Sequence, residues 1–300
     1  MNAIETHGLT KRFGKQTAVD DLSMSIPAGS IAGFIGPNGA GKTTTLRLLV
    51  GLVRPNAGSA TVLGCPLTEP DRYLPRVGAL IEAPAFYPSL SGRTNLEVLA
   101  LLGGHRGSRV NDMLETVDLS DRAGDRVGTY SLGMKQRLGV AIALLPDPEL
   151  LILDEPANGL DPLGMIEMRE LLRRLRDRGK TIVLSSHLLG ELEHVADWLV
   201  MLHKGKALFC GSARDLLTQR VELVIEPEDA VQRELVTRVA NQAGYAVTQE
   251  VHTLRIACPA GFADTLDRLT REAGAVDLTI RVKEASLEQL FLALVKGEHS

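Results

Sequence analysis

Four short, nearly uninterrupted apolar runs recur along the chain, each cut off by a turn or a polar pair. Ile31 to Ile35, Val77 to Ile81, Leu150 to Leu153 and Thr181 to Leu184 have the length and texture of strands buried on both faces, as in a parallel sheet. Strand character also runs through residues 4–10 and 18–26, with Gly14 between them and Pro27-Ala28-Gly29 as the following turn. Ser59 to Leu63 predicts another strand. Trp198 to Leu202 and Ala207 to Cys210 flank Lys204-Gly205-Lys206 as a hairpin. Helical spacing dominates elsewhere. Residues 94–119 read as helical, with Leu96, Val98, Leu99, Leu101 and Leu102 on one face and Met113, Leu114 and Val117 on a second. Ser131 is placed to cap a helix that runs through Leu145 and stops at Pro146. Residues 163–178 predict an amphipathic helix whose charges, Arg169 to Arg178, read as a solvated face.

Near residue 218 the texture changes. Beyond it the pattern predicts strand 221–225, helix 229–243, strands 245–249 and 253–257, helix 261–273, strand 275–282 and helix 286–295. Val221, Leu223 and Ile225 alternate, as do Leu254 and Ile256. This spacing predicts an α/β domain over 1–218 and a small α+β accessory domain over 219–300.

The stretch after the first buried run is Gly36-Pro37-Asn38-Gly39-Ala40-Gly41-Lys42-Thr43. It has the form G-x-x-x-x-G-K-[ST], and it leads from a strand into a helix beginning at Thr44-Thr45-Leu46. That context is what a P-loop requires. The glycines let the backbone curl so that successive N–H groups face phosphate oxygens, and the helix N-terminus adds partial positive charge. Lys42 supplies a full charge for the β- and γ-phosphates. The Thr43 hydroxyl suits a Mg²⁺ ion.

Leu151-Ile152-Leu153-Asp154-Glu155 completes the pattern as a strand ending in two acids, a Walker B motif. Asp154 is expected to hold Mg²⁺. Glu155 stands one residue further on, where a carboxylate can orient or deprotonate an attacking water. Tyr130-Ser131-Leu132-Gly133-Met134 opens a helix just upstream. By itself it has two readings, a plain helix cap or a second phosphate cradle built from Ser131 and Gly133.

Composition narrows the class. The chain has 300 residues, 44% hydrophobic and 23% charged, with net charge −4. This is ordinary for a globular protein and carries no basic signature of nucleic-acid binding. Cys65, Cys210 and Cys258 are scattered, without a C-x-x-C pair, and are expected as thiols. The first residues carry no signal-peptide pattern. No apolar run approaches the roughly 18 residues of a membrane span. Any membrane role is therefore expected through a partner.

Taken in order, these motifs resemble the ATP-binding subunits of ABC transporters, over residues 2–218. The resemblance implies an ABC-type nucleotide-binding domain with a mixed or parallel core sheet, an antiparallel β subdomain and a helical subdomain. Phe13-Gly14 is similar to the aromatic loop that stacks on adenine. Gly36 to Thr43, with Thr44 after it, is similar to Walker A. Tyr130 to Met134, followed by Lys135-Gln136-Arg137, resembles the signature motif. Asn158-Gly159-Leu160-Asp161 resembles the D-loop, and His187 the switch histidine at the γ-phosphate. Implied ligands are ATP and Mg²⁺. The implied partners are a membrane permease and a second ATP-binding subunit, identical or paired, and no nucleic acid. The implied location is the cytoplasmic face of a bacterial plasma membrane.

Three departures from the family pattern stand out. Leu132 and Met134 replace the usual glycine and glutamine of the signature, while Ser131 and Gly133 remain. Glu82 stands where the family usually has a glutamine that ligates Mg²⁺; a solvent-facing loop acid is the other reading. The tail, Ala285 to Leu292, resembles that of drug- and antibiotic-exporter ATPases. Glu82 followed by Pro84-Ala85-Phe86-Tyr87-Pro88 resembles the bacitracin and lantibiotic-resistance branch. Phe86, Tyr87 and Leu90 either contact the permease or fill this chain's own core. A non-transport ATPase of the repair or translation type is the competing class; it fits less well, because the chain has neither a long coiled coil nor a second ATP module.

Overall fold

Two long strands, each with a largely alternating burial pattern, open the chain: β1 (Asn2–Phe13) and β2 (Gln16–Pro27) pair antiparallel and turn at Gly14. β3 (Ile31–Ile35) is buried throughout and feeds the P-loop and α1 (Lys42–Leu49). β4 (Ala57–Val62) then joins β1, and β5 (Cys65–Pro66) joins β4. A short α2 (Pro70–Tyr73) leads to β6 (Val77–Leu80). Three helices follow, α3 (Gly92–Leu102), α4 (Arg109–Thr116) and α5 (Leu132–Leu144). The chain continues as β7 (Leu150–Asp154), α6 (Pro162–Asp177), β8 (Thr181–Ser186), α7 (Leu189–Glu193), β9 (Trp198–His203) and β10 (Lys206–Ser212). This computed structural model describes residues 1–82, 86–104, 109–259, 261–272, 278–284 and 286–297. Ala83, Pro84, Ala85 and Ala285, and residues 273–277, which overlap the strand expected over 275–282, lie outside the described residues.

Among the described residues this part of the chain forms two sheets. The order β2-β1-β4-β5 is antiparallel, and the second sheet runs β10-β9-β3-β8-β7-β6. Within the second, β9, β3, β8, β7 and β6 are parallel neighbours. Their unbroken apolar texture follows from cover on both faces. One apolar core joins the two sheets through α1: Ile4, Leu22 and Ile26 meet Leu46, Leu49, Phe34 and Ile152. The P-loop, the Asp154-Glu155 pair and His187 all follow the carboxyl ends of adjacent strands β3, β7 and β8. Open α/β sheets bind ligands at that edge.

The chain divides into two compact units, Met1–Cys210 and Gly211–Ser300, and the division falls inside β10. The second unit holds α8 (Ala213–Gln219), β11 (Arg220–Glu226), α9 (Ala230–Gln242), β12 (Val247–Gln249), β13 (Leu254–Pro259), α10 (Phe262–Glu272), β14 (Thr279–Glu284) and α11 (Leu287–Gly297). Its sheet is antiparallel in the order β12-β13-β11-β14, a split β-α-β-β-α-β arrangement of the ferredoxin-like kind. Leu223, Ile225, Leu254 and Ile256 pack with Val236 and Ala240 of α9 and Phe262 and Leu266 of α10. Glu222 points the other way, is buried, and pairs with Arg255 at 3.1 Å and with Gln289 of α11.

The helix expected over 94–119 is two helices. The Ser91 side chain accepts from Thr94 N and starts α3 earlier than apolar spacing alone suggests. Gly103 then ends it, and Gly104 takes a left-handed conformation that a side chain would resist. Three short helices, α2, α7 and α8, have no counterpart in the expected pattern, because so few turns leave little periodicity to read.

Candidate nucleotide site

The P-loop is shaped by close approach. A Cβ at Gly36 would lie 2.3 Å from the Leu202 carbonyl oxygen, and one at Gly41 would lie 2.5 Å from that of Ala18. Gly41 also has φ +104, so any side chain there meets both strain and a clash. The turn closes with Ala40 N donating to Pro37 O at 3.1 Å, and α1 begins with Thr45 N donating to Gly41 O. The N–H groups of Lys42, Thr43 and Thr44 have no carbonyl one turn back within α1 and suit an anion.

Lys42 is 6% exposed. Its ammonium donates to Gly36 O at 2.7 Å and stands 3.6 Å from Glu155 Oε1. The other Glu155 oxygen meets His187 Nδ1 at 2.7 Å. One carboxylate is thus fixed between a lysine from the β3 end and a histidine from the β8 end. Thr43 Oγ1 donates to Asp154 Oδ2 at 2.9 Å. Ser185, at the end of β8, ties the two acids together: its hydroxyl donates to Asp154 Oδ1 at 2.5 Å and accepts from Glu155 N at 2.9 Å. That second bond holds Glu155 at φ +50, a left-handed backbone rare for a non-glycine residue.

Of these groups Lys42, Thr43, Glu155 and His187 border a cleft of about 600 Å³. Its wall includes Phe13, Pro37, Asn38, Gly39, Ala40, Gly41, Lys42, Thr43, Thr44, Glu155 and His187. Gln16, Ala18 and Asn158 complete it; Asn158 belongs to the D-loop-like stretch, and Gln16 and Ala18 carried no site role in the sequence. Phe13 is half exposed, and the Lys11 ammonium sits 5.0 Å from its ring centroid. A cleft with one aromatic end, a ring of N–H groups and a buried lysine suits a nucleoside triphosphate.

The residues also suit Mg²⁺. Thr43 and Asp154 offer adjoining oxygen donors next to the phosphate cradle, and a hard ion takes oxygen ligands. Among the described residues no set of three or more His, Cys, Asp or Glu side chains could hold a metal. This is consistent, because Mg²⁺ in such sites takes one or two protein ligands and completes its shell with phosphates and water.

Six expected site residues are not on the cleft wall: Gly36 and Asp154 are bonded to the wall residues Lys42 and Thr43, and the other four stand apart. Glu82 has φ +65 and pairs its carboxylate with Arg47 of α1, and its side chain is 64% exposed. Ser131 caps α5, accepting from Met134 N at 3.2 Å, and Gly133 follows within that helix. Asp161 caps α6, accepting from Gly164 N at 2.9 Å. Burial pushes the phenol of Tyr130, next to Ser131, above its ordinary pKa. The most consequential residue missed from sequence is Ser185. Its signal was a serine ending a buried apolar strand, where an unpaired hydroxyl would be costly.

Residues 19–158 match the family described as ABC transporter. The bacitracin transport ATP-binding protein BcrA of Bacillus licheniformis is 41% identical over 300 residues, covering 98% of this chain and 97% of that protein. The lantibiotic transport ATP-binding protein SrtF of Streptococcus pyogenes is 42% identical, covering 68% of this chain and 89% of its own. A solved ATP-binding subunit of an ABC transporter superposes with TM-score 0.63 at 30% identity, covering 71% of this chain and 91% of its own. The ADP conformation of MJ1267, at 21% identity and TM-score 0.67, covers 72% and 95% and shares the fold.

Proposed function

This chain belongs to the ABC transporter family, and from that premise we propose how its residues do the work of the ATPase subunit of an exporter. It binds and hydrolyses ATP on behalf of a separate membrane permease. Among the described residues no helix is long and apolar enough to cross a membrane, so the described part of the chain reaches the bilayer through that partner. We assign it to the cytoplasmic face. Its relatives' names, for bacitracin and lantibiotic transport, support an antibiotic or peptide as the proposed cargo and export as the proposed direction.

In this reading Phe13 stacks on the adenine. Lys42 and the N–H groups of Gly39 and of Gly41 to Thr44 hold the triphosphate. Thr43 and Asp154 hold Mg²⁺, which when bound neutralises charge on the β- and γ-phosphates. Glu155 takes a proton from water as its oxygen attacks the γ-phosphorus, and the bond to the leaving ADP oxygen breaks. His187 keeps the Glu155 carboxylate aimed and reaches the γ-phosphate. The observation that carries this assignment is the Glu155 carboxylate held by Lys42 and His187 at the cleft wall. A second ATP-binding subunit, identical or paired, contributes its Ser131 and Gly133 across the triphosphate, with Asp161 lining the shared surface. Exposed Tyr87, with Phe86 and Leu90 beside it, contacts the permease.

The test is Glu155→Gln. Phosphate release should fall by about 100-fold or more, as for loss of a general base, while ATP should now drive the chain into stable pairs on size exclusion. Normal turnover would remove Glu155 from the role. A chain that never pairs with ATP present, alone or with its permease, would remove the two-subunit mechanism.

A further inference from the structure

We propose that Asn95 is the joint through which the Tyr87 loop commands the position of Ser131. It is a positioning residue that passes the state of the permease to the signature serine. The inference rests on the reading above, in which Tyr87 meets the permease and Ser131 meets nucleotide.

Asn95 lies in α3 and is 0% exposed. A buried primary amide has to satisfy both a donor and an acceptor group. Here one residue takes both ends. Asn95 Oδ1 accepts from Tyr87 N at 2.8 Å, and Asn95 Nδ2 donates to Tyr87 O at 3.1 Å. The same nitrogen donates to Ser91 O at 2.9 Å and lies 3.4 Å from Leu90 O. The amide therefore grips both main-chain polar groups of Tyr87 and the two carbonyls that close the loop. Tyr87 itself is 51% exposed, so an outward-facing ring is mounted on a buried clamp.

The clamped loop is zipped to the segment that delivers the signature. Gly128 N donates to Pro88 O and Val127 N to Leu90 O, both at 2.9 Å. Gly92 N donates to Asp125 O at 3.2 Å, Arg93 N to Ala123 O at 2.9 Å, and Ser91 bridges Arg126. Close approach is built in at both crossings. A Cβ at Gly128 would lie 3.1 Å from Pro88 O, and one at Gly92 would lie 2.2 Å from the Tyr130 phenol oxygen. That phenol donates to Arg122 O at 2.7 Å and locks Tyr130 directly before Ser131. Two exposed ends, Tyr87 and Ser131, are thus joined by a buried middle of Asn95, Val127 and Tyr130. A push on Tyr87 meets these bonds directly: the backbone groups of Tyr87, Pro88 and Leu90 that take part in them would have to leave their partners.

The experiment compares ATP turnover of the chain alone and of the chain assembled with its permease in phospholipid vesicles. Wild type, Asn95→Ala and Gly128→Ala are each measured both ways. Asn95→Ala releases Tyr87. Gly128→Ala pushes on the zipper from the opposite side, and decides the matter alone if the first variant does not fold. The variants should bind the permease and, alone, turn over ATP like wild type. The increase in turnover caused by the permease should shrink by about five-fold or more, the lower end of ordinary coupling between sites. Tyr87→Ala, in contrast, should lose the permease itself. An undiminished permease effect in either folded variant overturns the proposal. So does an equal loss with and without the permease, which would make Asn95 merely structural. A wild-type chain indifferent to its permease would instead overturn the parent reading, and the joint with it.

Discussion

The P-loop side of the site and the segment around Ser131 share a plan, a turn that feeds a helix, but they differ in what their side chains do. At the P-loop the polar groups are engaged with one another across three strands. Lys42 reaches Gly36 and Glu155, Thr43 reaches Asp154, and Ser185 joins Asp154 to Glu155. Around Ser131 the bond of the hydroxyl is local, from Met134 N, and both Ser131 and Leu132 are exposed. Leu132 leans on its own chain at Gly159, where a Cβ would lie 3.0 Å from it. The first region is a site completed by its own chain. The second is a cap that presents a face. The contrast fits the proposal that one chain binds nucleotide and a second subunit brings its Ser131 to it.

Substitutions test this difference directly. Lys42→Ala should have the largest effect on the isolated chain. Losing a buried charge-assisted contact to phosphate should weaken ATP binding by about 10- to 100-fold, read by equilibrium titration. Ser131→Ala should leave that titration unchanged. It should cost about 1 kcal/mol of stability in urea through the lost helix cap, and lower turnover only where two subunits meet. Reduced ATP affinity of the isolated Ser131→Ala chain would erase the distinction between the regions.

Glu82→Gln should be milder, because the exposed pair with Arg47 is worth no more than about 1 kcal/mol. Its informative readout is the Mg²⁺ concentration at half-maximal turnover. A shift would bring Glu82 into the site during the cycle, and no shift would leave it as a loop acid. The smallest effect is expected away from both regions. Asp147 is held below the ordinary carboxylate range mainly by a hydrogen bond from Lys180, and Glu149 by one from Arg76. Because their folded pKa values are depressed, their contribution is present above about pH 4 and fades as pH falls through the lower folded values. Asp147→Asn should slightly flatten the loss of stability below pH 4 in unfolding curves, without changing ATP affinity.

Much of this was legible from local chemistry. The P-loop could be read because a strand, a glycine-rich turn and a helix are adjacent in the chain. The Ser131 cap could be read because the acceptor and Met134 N are three residues apart. Strands β3, β7 and β8 were visible because burial on both faces leaves an unbroken apolar run. Glu82 was less legible. Its position relative to a family pattern suggested a metal ligand, but Arg47, on the helix after the P-loop, takes its carboxylate. Asn95 gave no signal at all, since an asparagine on a helix usually faces solvent, and only the path of the Tyr87 loop turns it inward.

Adjacent residues therefore specified the phosphate-binding turn, its lysine, the two acids and the helix caps, because each depends on backbone geometry within one or two turns. The sheet order decided the rest. Placing β8 between β3 and β7 sets Ser185 beside both Phe34 and Asp154, and so brings Thr43, Asp154, Ser185 and His187 to one edge. No local pattern encodes that meeting, because it comes from which apolar strands bury one another, and that is settled only when the whole core closes.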